Sequence, residues 1–318
     1  MSFLKGSIPL TVYKASQELL ANITSDRLRQ FAFQPIDEIA EEKSWGFVNH
    51  DDMFDTEWVK SVPEKGQYVV FGFRIDSRKI PASILKKHIA AMMADELEAM
   101  EAQGKKFISR QRKAEIRELC KARLLSKQEP QPSMFGVCAD PALGLIYVAN
   151  KSKGSLAVFE DYMESAFGER LTPLCSDFME NSVGSMAIEN FMADLLTGGK
   201  SVTVNGQHYS VDELGTVTLN DFEKKASVSV QDAPDSVKTS LQAGMRPSSL
   251  AIQITTPDEE EIRFTLNTMF AFTGLKVPHI PKADKDADPD AEFLIKMRYI
   301  ETAMLVLTTL LTDSGESA

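Results

Sequence analysis

Cysteine and histidine are scarce in this chain, which has three and four of them among its 318 residues. The cysteines form no CxxC pair, a pattern that is typical of a reducing compartment and that excludes a cysteine-built metal framework. The histidines are scattered, without the HxxxH or HExxH spacing of a zinc site. The sequence therefore predicts no bound metal and no cofactor.

Long hydrophobic runs are missing as well. The most apolar stretch near the C-terminus, AMLVLTTLL at 303–311, has nine residues, whereas a membrane-spanning helix needs about 20. The opening MSFLKGSIPL has no sustained apolar core of the kind found in secretory signals. We therefore expect a cytoplasmic protein without a membrane partner, in which 303–311 is a buried helix or a subunit contact.

Catalytic motifs are the third absence. The chain has no GxSxG elbow, and neither Cys120 nor Cys138 has the sequence context of a nucleophile. For His50-Asp51-Asp52 a metal-dependent nuclease site is one interpretation, and an exposed turn is the favoured one. We therefore expect no catalytic residues.

What the sequence does contain is a local reversal of charge. The chain carries a net charge of −11, yet the segment 105–127 holds nine lysines or arginines against two glutamates. Because the overall charge is negative, contact with nucleic acid would require basic residues gathered on one surface. The basic residues of the segment are Lys105, Lys106, Arg110, Arg112, Lys113, Arg117, Lys121, Arg123 and Lys127.

The spacing of these cations is helical. At a helical turn of about 100° per residue, five of them, from Lys106 to Lys121, fall within an arc of roughly 80°. Lys105, Arg112 and Arg123 form a second row. Such a helix presents a cationic surface about 30 Å long, and a phosphate backbone is its natural counterpart. The alternative is a solvated helix face held by local ion pairs. Charge pattern alone favours this alternative, but the scarcity of acids weakens it, since only two lie inside the segment.

The remaining pattern predicts an α+β fold with antiparallel hairpins. Pro81 suits the first turn of a long helix that continues into the basic segment and that Gly104 either ends or kinks. Asn205-Gly206 predicts a type I′ turn between strands. The predicted strands are 8–15, 67–76, 134–139, 143–150, 201–204, 207–211, 216–219, 226–230, 249–255 and 261–266. The other predicted helices are 155–167, 185–196, 235–243 and 291–311.

We expect four approximate parts along the chain, which can form one continuous body. They are an N-terminal α+β part (1–80), a long helical, basic segment (81–130), a central α+β part (131–200) and a C-terminal α+β part with a closing helix (201–318). With 43% hydrophobic and 25% charged residues, the composition is that of an ordinary globular protein.

Several short motifs follow one another in a familiar order. They are AFQP at 32–35, SWGFV at 44–48, RKIPASILKKHI at 78–89, DPALGLIYV at 140–148 and DAEFL at 290–294. In this order they resemble the recombination-associated protein RdgC family, over nearly the whole chain. The chain departs from the family pattern where Asn49 and His50 replace paired prolines, and the closing helix lacks the family's glycine.

The resemblance implies an elongated α+β protomer that pairs head to head into a ring-shaped dimer around DNA. It also implies binding without sequence preference, restraint of the RecA recombinase and association with the nucleoid. By the same resemblance, Lys105 and Lys106 line the DNA, and Lys224 and Lys225 are further candidates. The family's finger-like aromatic residue has no clear match in the turn at 124–130.

We therefore hypothesise a non-enzymatic, sequence-independent DNA-binding homodimer that modulates RecA-dependent recombination. Two alternatives stay open: a metal-dependent nuclease that acts on DNA, and a protein-interaction scaffold whose basic helix docks an acidic partner. The candidate DNA contacts are Lys105, Lys106, Arg110, Arg112, Lys113, Arg117, Lys121, Arg123, Lys224 and Lys225.

Overall fold

The structure of this chain is a computed structural model. It describes residues 3, 6–37, 39, 41–102, 104, 107–178, 184–221, 225–230, 234–280 and 290–316. The chain divides into two compact units. Unit 1 comprises Met1–Arg27, Ser61–Phe71 and Phe135–Ala318, and unit 2 comprises Leu28–Lys60 and Gly72–Met134. The four parts expected from the sequence stay a prediction.

The described residues form an α+β fold with a large antiparallel sheet, as predicted. The helices are α1 (Gln17–Asn22), α2 (Ser25–Gln30), α3 (Ala82–Glu101), α4 (Arg110–Leu125), α5 (Lys153–Phe167), α6 (Gly184–Leu195), α7 (Pro234–Gln242) and α8 (Ala291–Glu316). The strands are β1 (Ile8–Lys14), β2 (Lys43–Val48), β3 (Glu64–Lys65), β4 (Tyr68–Ser77), β5 (Gln131–Asp140), β6 (Leu145–Val148), β7 (Thr172–Pro173), β8 (Lys200–Val204), β9 (Gln207–Asn220), β10 (Lys225–Ser229), β11 (Arg246–Thr255), β12 (Glu261–Asn267) and β13 (Phe272–Lys276).

The sheet of unit 1 runs in the order β10-β9-β11-β12-β13-β1-β6-β5-β4. Its strands form because apolar side chains alternate along them and lie opposite one another on neighbouring strands. Leu250 lies opposite Leu266, and Ile252 lies opposite Phe264. All four side chains are buried in the core of unit 1.

The hairpin predicted at Asn205-Gly206 is confirmed. Val204 pairs with Gln207, and both turn residues have positive φ, 50° at Asn205 and 77° at Gly206, as a type I′ turn requires. Strand β9 differs from the prediction because it continues to Asn220 instead of stopping at 211. Gly215 has a φ of 85°, and the pairing of β9 with β11 shifts register around it. The shift lets β9 continue through this position as one strand.

Helix α8 covers the core of unit 1. Its apolar residues recur at helical spacing, with Met297, Ile300, Met304 and Leu307 all buried. The stretch 303–311 is therefore a helix buried within the protomer, which is one of the two roles predicted for it.

Unit 2 holds β2, the second part of β4 and the two helices α3 and α4. Strand β2 pairs antiparallel with β4, from Lys43 opposite Ser77 to Val48 opposite Gly72. On its other side Phe47 donates a backbone hydrogen bond to Phe31 (3.1 Å) and accepts one from Phe33 (2.9 Å).

The structure corrects the expectation of one long basic helix. The chain forms two helices that pack against each other, α3 ending at Glu101 and α4 beginning at Arg110. Gly104, with a φ of 76°, lies between them in the left-handed region that ends helices. The basic helix is therefore α4 alone, with 16 residues and a length of about 24 Å instead of about 30 Å.

Candidate nucleic-acid interface

Helix α4 is fixed at its start and along one side. Ser109 caps it, since its Oγ accepts a hydrogen bond from the backbone N–H of Arg112 at 3.1 Å. Ile116, Cys120 and Leu125 are buried, and the burial of Cys120 makes it a packing residue. This anchoring leaves the rest of the helix surface free to present charge.

The two predicted rows of cations lie on either side of the buried stripe. At about 100° per residue, Ile116 and Cys120 fall between the row that contains Lys113 and Arg117 and the row of Arg112 and Arg123. The side chains of Arg110, Lys113, Arg117 and Arg123 are exposed. The structure therefore brings six predicted contacts onto one helix: Arg110, Arg112, Lys113, Arg117, Lys121 and Arg123.

The cations of α4 differ in whether a carboxylate holds them. Arg112 forms ion pairs with Glu96 of α3 at 2.8 Å and with Glu115 at 3.1 Å, and Lys121 pairs with Glu42 just before β2. Hydrogen bonds that Arg112 and Lys121 donate to these glutamates raise the pKa of both cations.

Three cations of the first row have no such partner. Within the described part of the chain, no ion pair holds Arg110, Lys113 or Arg117. The solvated face held by local ion pairs, which charge pattern favoured, therefore accounts for only part of the helix.

The first turn of α4 is positively charged, whereas a negative charge stabilises the N-terminus of a helix. It contains Arg110, Arg112 and Lys113 and no acidic residue, although the positive end of the helix dipole is stabilised by acids and destabilised by cations. A local arrangement that disfavours the fold is typical of a functional site. Here the ligand that would relieve the repulsion is an anion.

Two aromatic side chains that flank α4 in the sequence differ in exposure. Phe107, two residues before the cap, is 77% exposed, so its ring is accessible beside the cations. Phe135 is buried and packs edge-on against Phe159 with ring centroids 5.9 Å apart. A base can therefore reach Phe107 but not Phe135.

The contacts carried over from the family cannot all be placed. Lys105, Lys106 and Lys224 lie outside the described residues. Lys225 begins β10, and its backbone pairs with Asn220. Its side chain is not among the parts of the chain that the structure describes. These four residues stay predictions from the resemblance.

The exposed turn favoured at His50-Asp51-Asp52 is only partly confirmed, because Asp51 is exposed but His50 is not. His50 is buried, and Asp52 is paired with Lys60 at 2.5 Å, a hydrogen bond that lowers the pKa of Asp52. The nearby Asp55 accepts backbone N–H bonds from Val59 and Lys60. Across the described residues, no group of three or more His, Cys, Asp or Glu side chains is arranged to hold a metal ion.

Sequence reasoning missed two of the three carboxylates that hold α4 cations, Glu42 and Glu96. Glu42 is 79 residues from Lys121 and Glu96 is 16 residues from Arg112, so no local spacing rule connects them. For Glu96 the sequence offers one signal, the group of acidic residues that precedes Gly104. The turn between α3 and α4 brings this acidic group next to the basic segment.

A comparison with protein families identifies the family of this chain. The family model described as "Putative exonuclease, RdgC" matches residues 9–313 of the 318. The chain therefore belongs to the RdgC family, as its motifs predicted. At the level of that family it is a recombination-associated DNA-binding protein.

A comparison with curated proteins finds no match. Among the helices of the described chain, none is long and apolar enough to cross a membrane.

Proposed function

We propose that this protein binds DNA without sequence preference and that the cations of α4 contact the phosphate backbone. One observation carries the proposal: Arg110, Lys113 and Arg117 form an exposed row on one helix, and no carboxylate of the described chain holds them. Lys105, Lys106, Lys224 and Lys225 are proposed as further phosphate contacts on the family resemblance alone. Backbone contacts fix position on a duplex but read no bases, so indifference to sequence is expected.

We further propose that two protomers close into a ring around DNA and restrain RecA-dependent recombination at the nucleoid. Support comes from family membership and from the acidic net charge of −11. A ring with a cationic hole binds DNA in spite of that charge, because its acidic residues lie away from the phosphates. In solution the particle mass should be twice 35.3 kDa, as measured by light scattering after size exclusion.

Encirclement has a direct topological test. The protein is bound to a relaxed circular duplex and to the same duplex linearised, and the salt concentration is then raised. A ring should stay on the circle while it slides off the linear ends. Equal loss from both forms would leave DNA binding intact but contradict encirclement.

Releasing Lys121 should strengthen DNA binding. The Glu42→Gln substitution removes the carboxylate that pairs with Lys121 and leaves this cation free for a phosphate. We expect log K to depend more steeply on log salt, by about 0.9, and affinity to rise roughly tenfold at 0.1 M salt. Fluorescence anisotropy with a labelled duplex measures both quantities.

The matched control is Glu41→Gln. It makes the same change in net charge one residue away, and the backbone carbonyl of Glu41, which accepts from Arg78 at 3.3 Å, is retained. Equal gains in the two variants would mean that overall charge, and not the freeing of Lys121, determines the affinity.

A nuclease is the second candidate, and the observation that favours it is the description of the family as an exonuclease. Its test is prolonged incubation of the purified protein with end-labelled linear DNA and Mg²⁺ or Mn²⁺. Shortened products would establish the activity, provided that the activity co-purifies with the chain. Intact DNA would exclude it.

A further inference from the structure

A carboxyl pair lies between α8 and β5 within unit 1, and its member on α8, Glu301, is half-buried. Asp140 ends β5 and is fully buried. Its Oδ1 accepts hydrogen bonds from the backbone N–H groups of Ala142 at 3.0 Å and Leu143 at 3.2 Å. Its Oδ2 is also buried, and no donor in the described chain reaches it. An isolated buried carboxylate oxygen is costly, so this oxygen calls for an explanation.

The neighbouring group is the carboxyl of Glu301 on α8, which lies within hydrogen-bonding reach of the carboxyl of Asp140. Two ionised carboxylates are both acceptors, so a bond between them exists only when one of them carries a proton. The Oε1 of Glu301 already accepts from the Tyr68 hydroxyl and from Gln67 Nε2, the latter at 3.3 Å. These two donors orient the side chain toward Asp140.

We infer that Glu301 and Asp140 share one proton and that this bond attaches α8 to β5 in a pH-dependent manner. The inference concerns the stability of unit 1 and is independent of the proposed DNA binding. Burial and, after it, the neighbouring Asp140 raise the pKa of Glu301 above its usual 4.5, while hydrogen bonds from Tyr68 and Gln67 act in the opposite direction. The proton is therefore retained at pH values where an exposed glutamate has lost it.

The surrounding groups do not neutralise the pair. Tyr68 from β4, Cys138 from β5 and Tyr147 from β6 interact with it, and burial raises the pKa of each, so they stay uncharged as the pair titrates. Arg298 and Tyr209 line a cavity of about 230 Å³ that Glu301 also lines. Arg298 is exposed, and water therefore screens its charge.

The sign of the pH dependence follows from the raised pKa. The folded chain holds a proton that the unfolded chain has released, so the attachment is complete below the usual pKa of glutamate. It is lost as the pH rises through the raised pKa of Glu301. Above that value two carboxylates repel each other between α8 and β5. The unfolding equilibrium constant should increase by up to about tenfold per pH unit within this window.

The Glu301→Gln substitution tests the inference. Its amide oxygen still accepts from Tyr68, and its NH₂ group donates to Asp140 without a titrating proton. Urea denaturation followed by far-UV circular dichroism, repeated across the acid-to-neutral range, should show that this slope is absent from the variant. Glu292→Gln on the same helix is the matched control and should keep the wild-type slope. An identical slope in wild type and Glu301→Gln would overturn the inference.

The wild-type chain provides a second readout that does not depend on the folding of a variant. Its infrared spectrum should contain the C=O band of a protonated carboxyl above the usual pKa of glutamate, and the band should fade as the pH rises further. Asp140→Asn should remove the band and keep the fold, because its Oδ1 still accepts from Ala142 and its amide donates to Glu301. Absence of the band from wild type would overturn the inference by itself.

Discussion

Replacing Arg110, Lys113 and Arg117 together by alanine should reduce the affinity for duplex DNA by roughly a hundredfold or more at 0.1 M salt. The reason is that each phosphate neutralised contributes about 0.9 to the salt slope of log K, so three lost contacts flatten the slope by about 2.7. The three side chains are exposed, and the buried stripe of α4 is left intact. Far-UV circular dichroism should therefore be unchanged while anisotropy titrations weaken.

A second triple variant separates a local contact from a loss of charge. Lys151, Lys153 and Lys238 are exposed cations of unit 1, and their replacement by alanine changes the net charge by the same amount. This control should retain most of the affinity. If both variants weaken binding equally, α4 is not the contact surface and the affinity reflects the total charge.

Gly46→Ala should destabilise unit 2 by about 3 kcal/mol, because an added methyl group would overpack a site with no free space. A Cβ at Gly46 would lie 2.5 Å from the Cα and 2.6 Å from the backbone nitrogen of Phe33. These are backbone atoms held by the hydrogen bonds between Phe47 and the segment 31–33, so they cannot move without breaking that pairing.

Tryptophan fluorescence reports this change selectively. Both tryptophans, Trp45 and Trp58, belong to unit 2, so the urea midpoint of their fluorescence follows its unfolding. The control is Gly154→Ala in α5, where no atom lies within 4 Å of the added Cβ and a gain of up to about 1 kcal/mol is expected. An unchanged fluorescence midpoint in Gly46→Ala would contradict the close packing of β2 on 31–33.

Local rules predicted the elements that local chemistry determines. Asn205-Gly206 defined a hairpin because few residue pairs accept two positive φ values. Pro81, which the sequence put in the first turn of the long helix, is the N-cap of the helix that begins at Ala82, one residue from the predicted place. The alternation of apolar residues around Leu250 and Phe264 predicted the two core strands to which these residues belong. For these elements the sequence and the structure agree closely.

Features that depend on distant parts of the chain could not be predicted in the same way. Gly104 was recognised as an end or a kink, but the choice between them depends on whether α4 gains more by packing against α3 than by extending it. The pairing of Lys121 with Glu42 depends on tertiary structure alone. The shared proton of Glu301 and Asp140 depends on burial, which no spacing rule contains.

We expect this chain to bind the DNA backbone through α4 without reading sequence. The most direct test of this expectation is fluorescence anisotropy of the wild-type protein with two labelled duplexes of unrelated sequence over a series of salt concentrations. We predict one steep linear dependence of log K on log salt, shared by both duplexes. Binding that is absent at low salt, or that follows one sequence and not the other, would contradict the account.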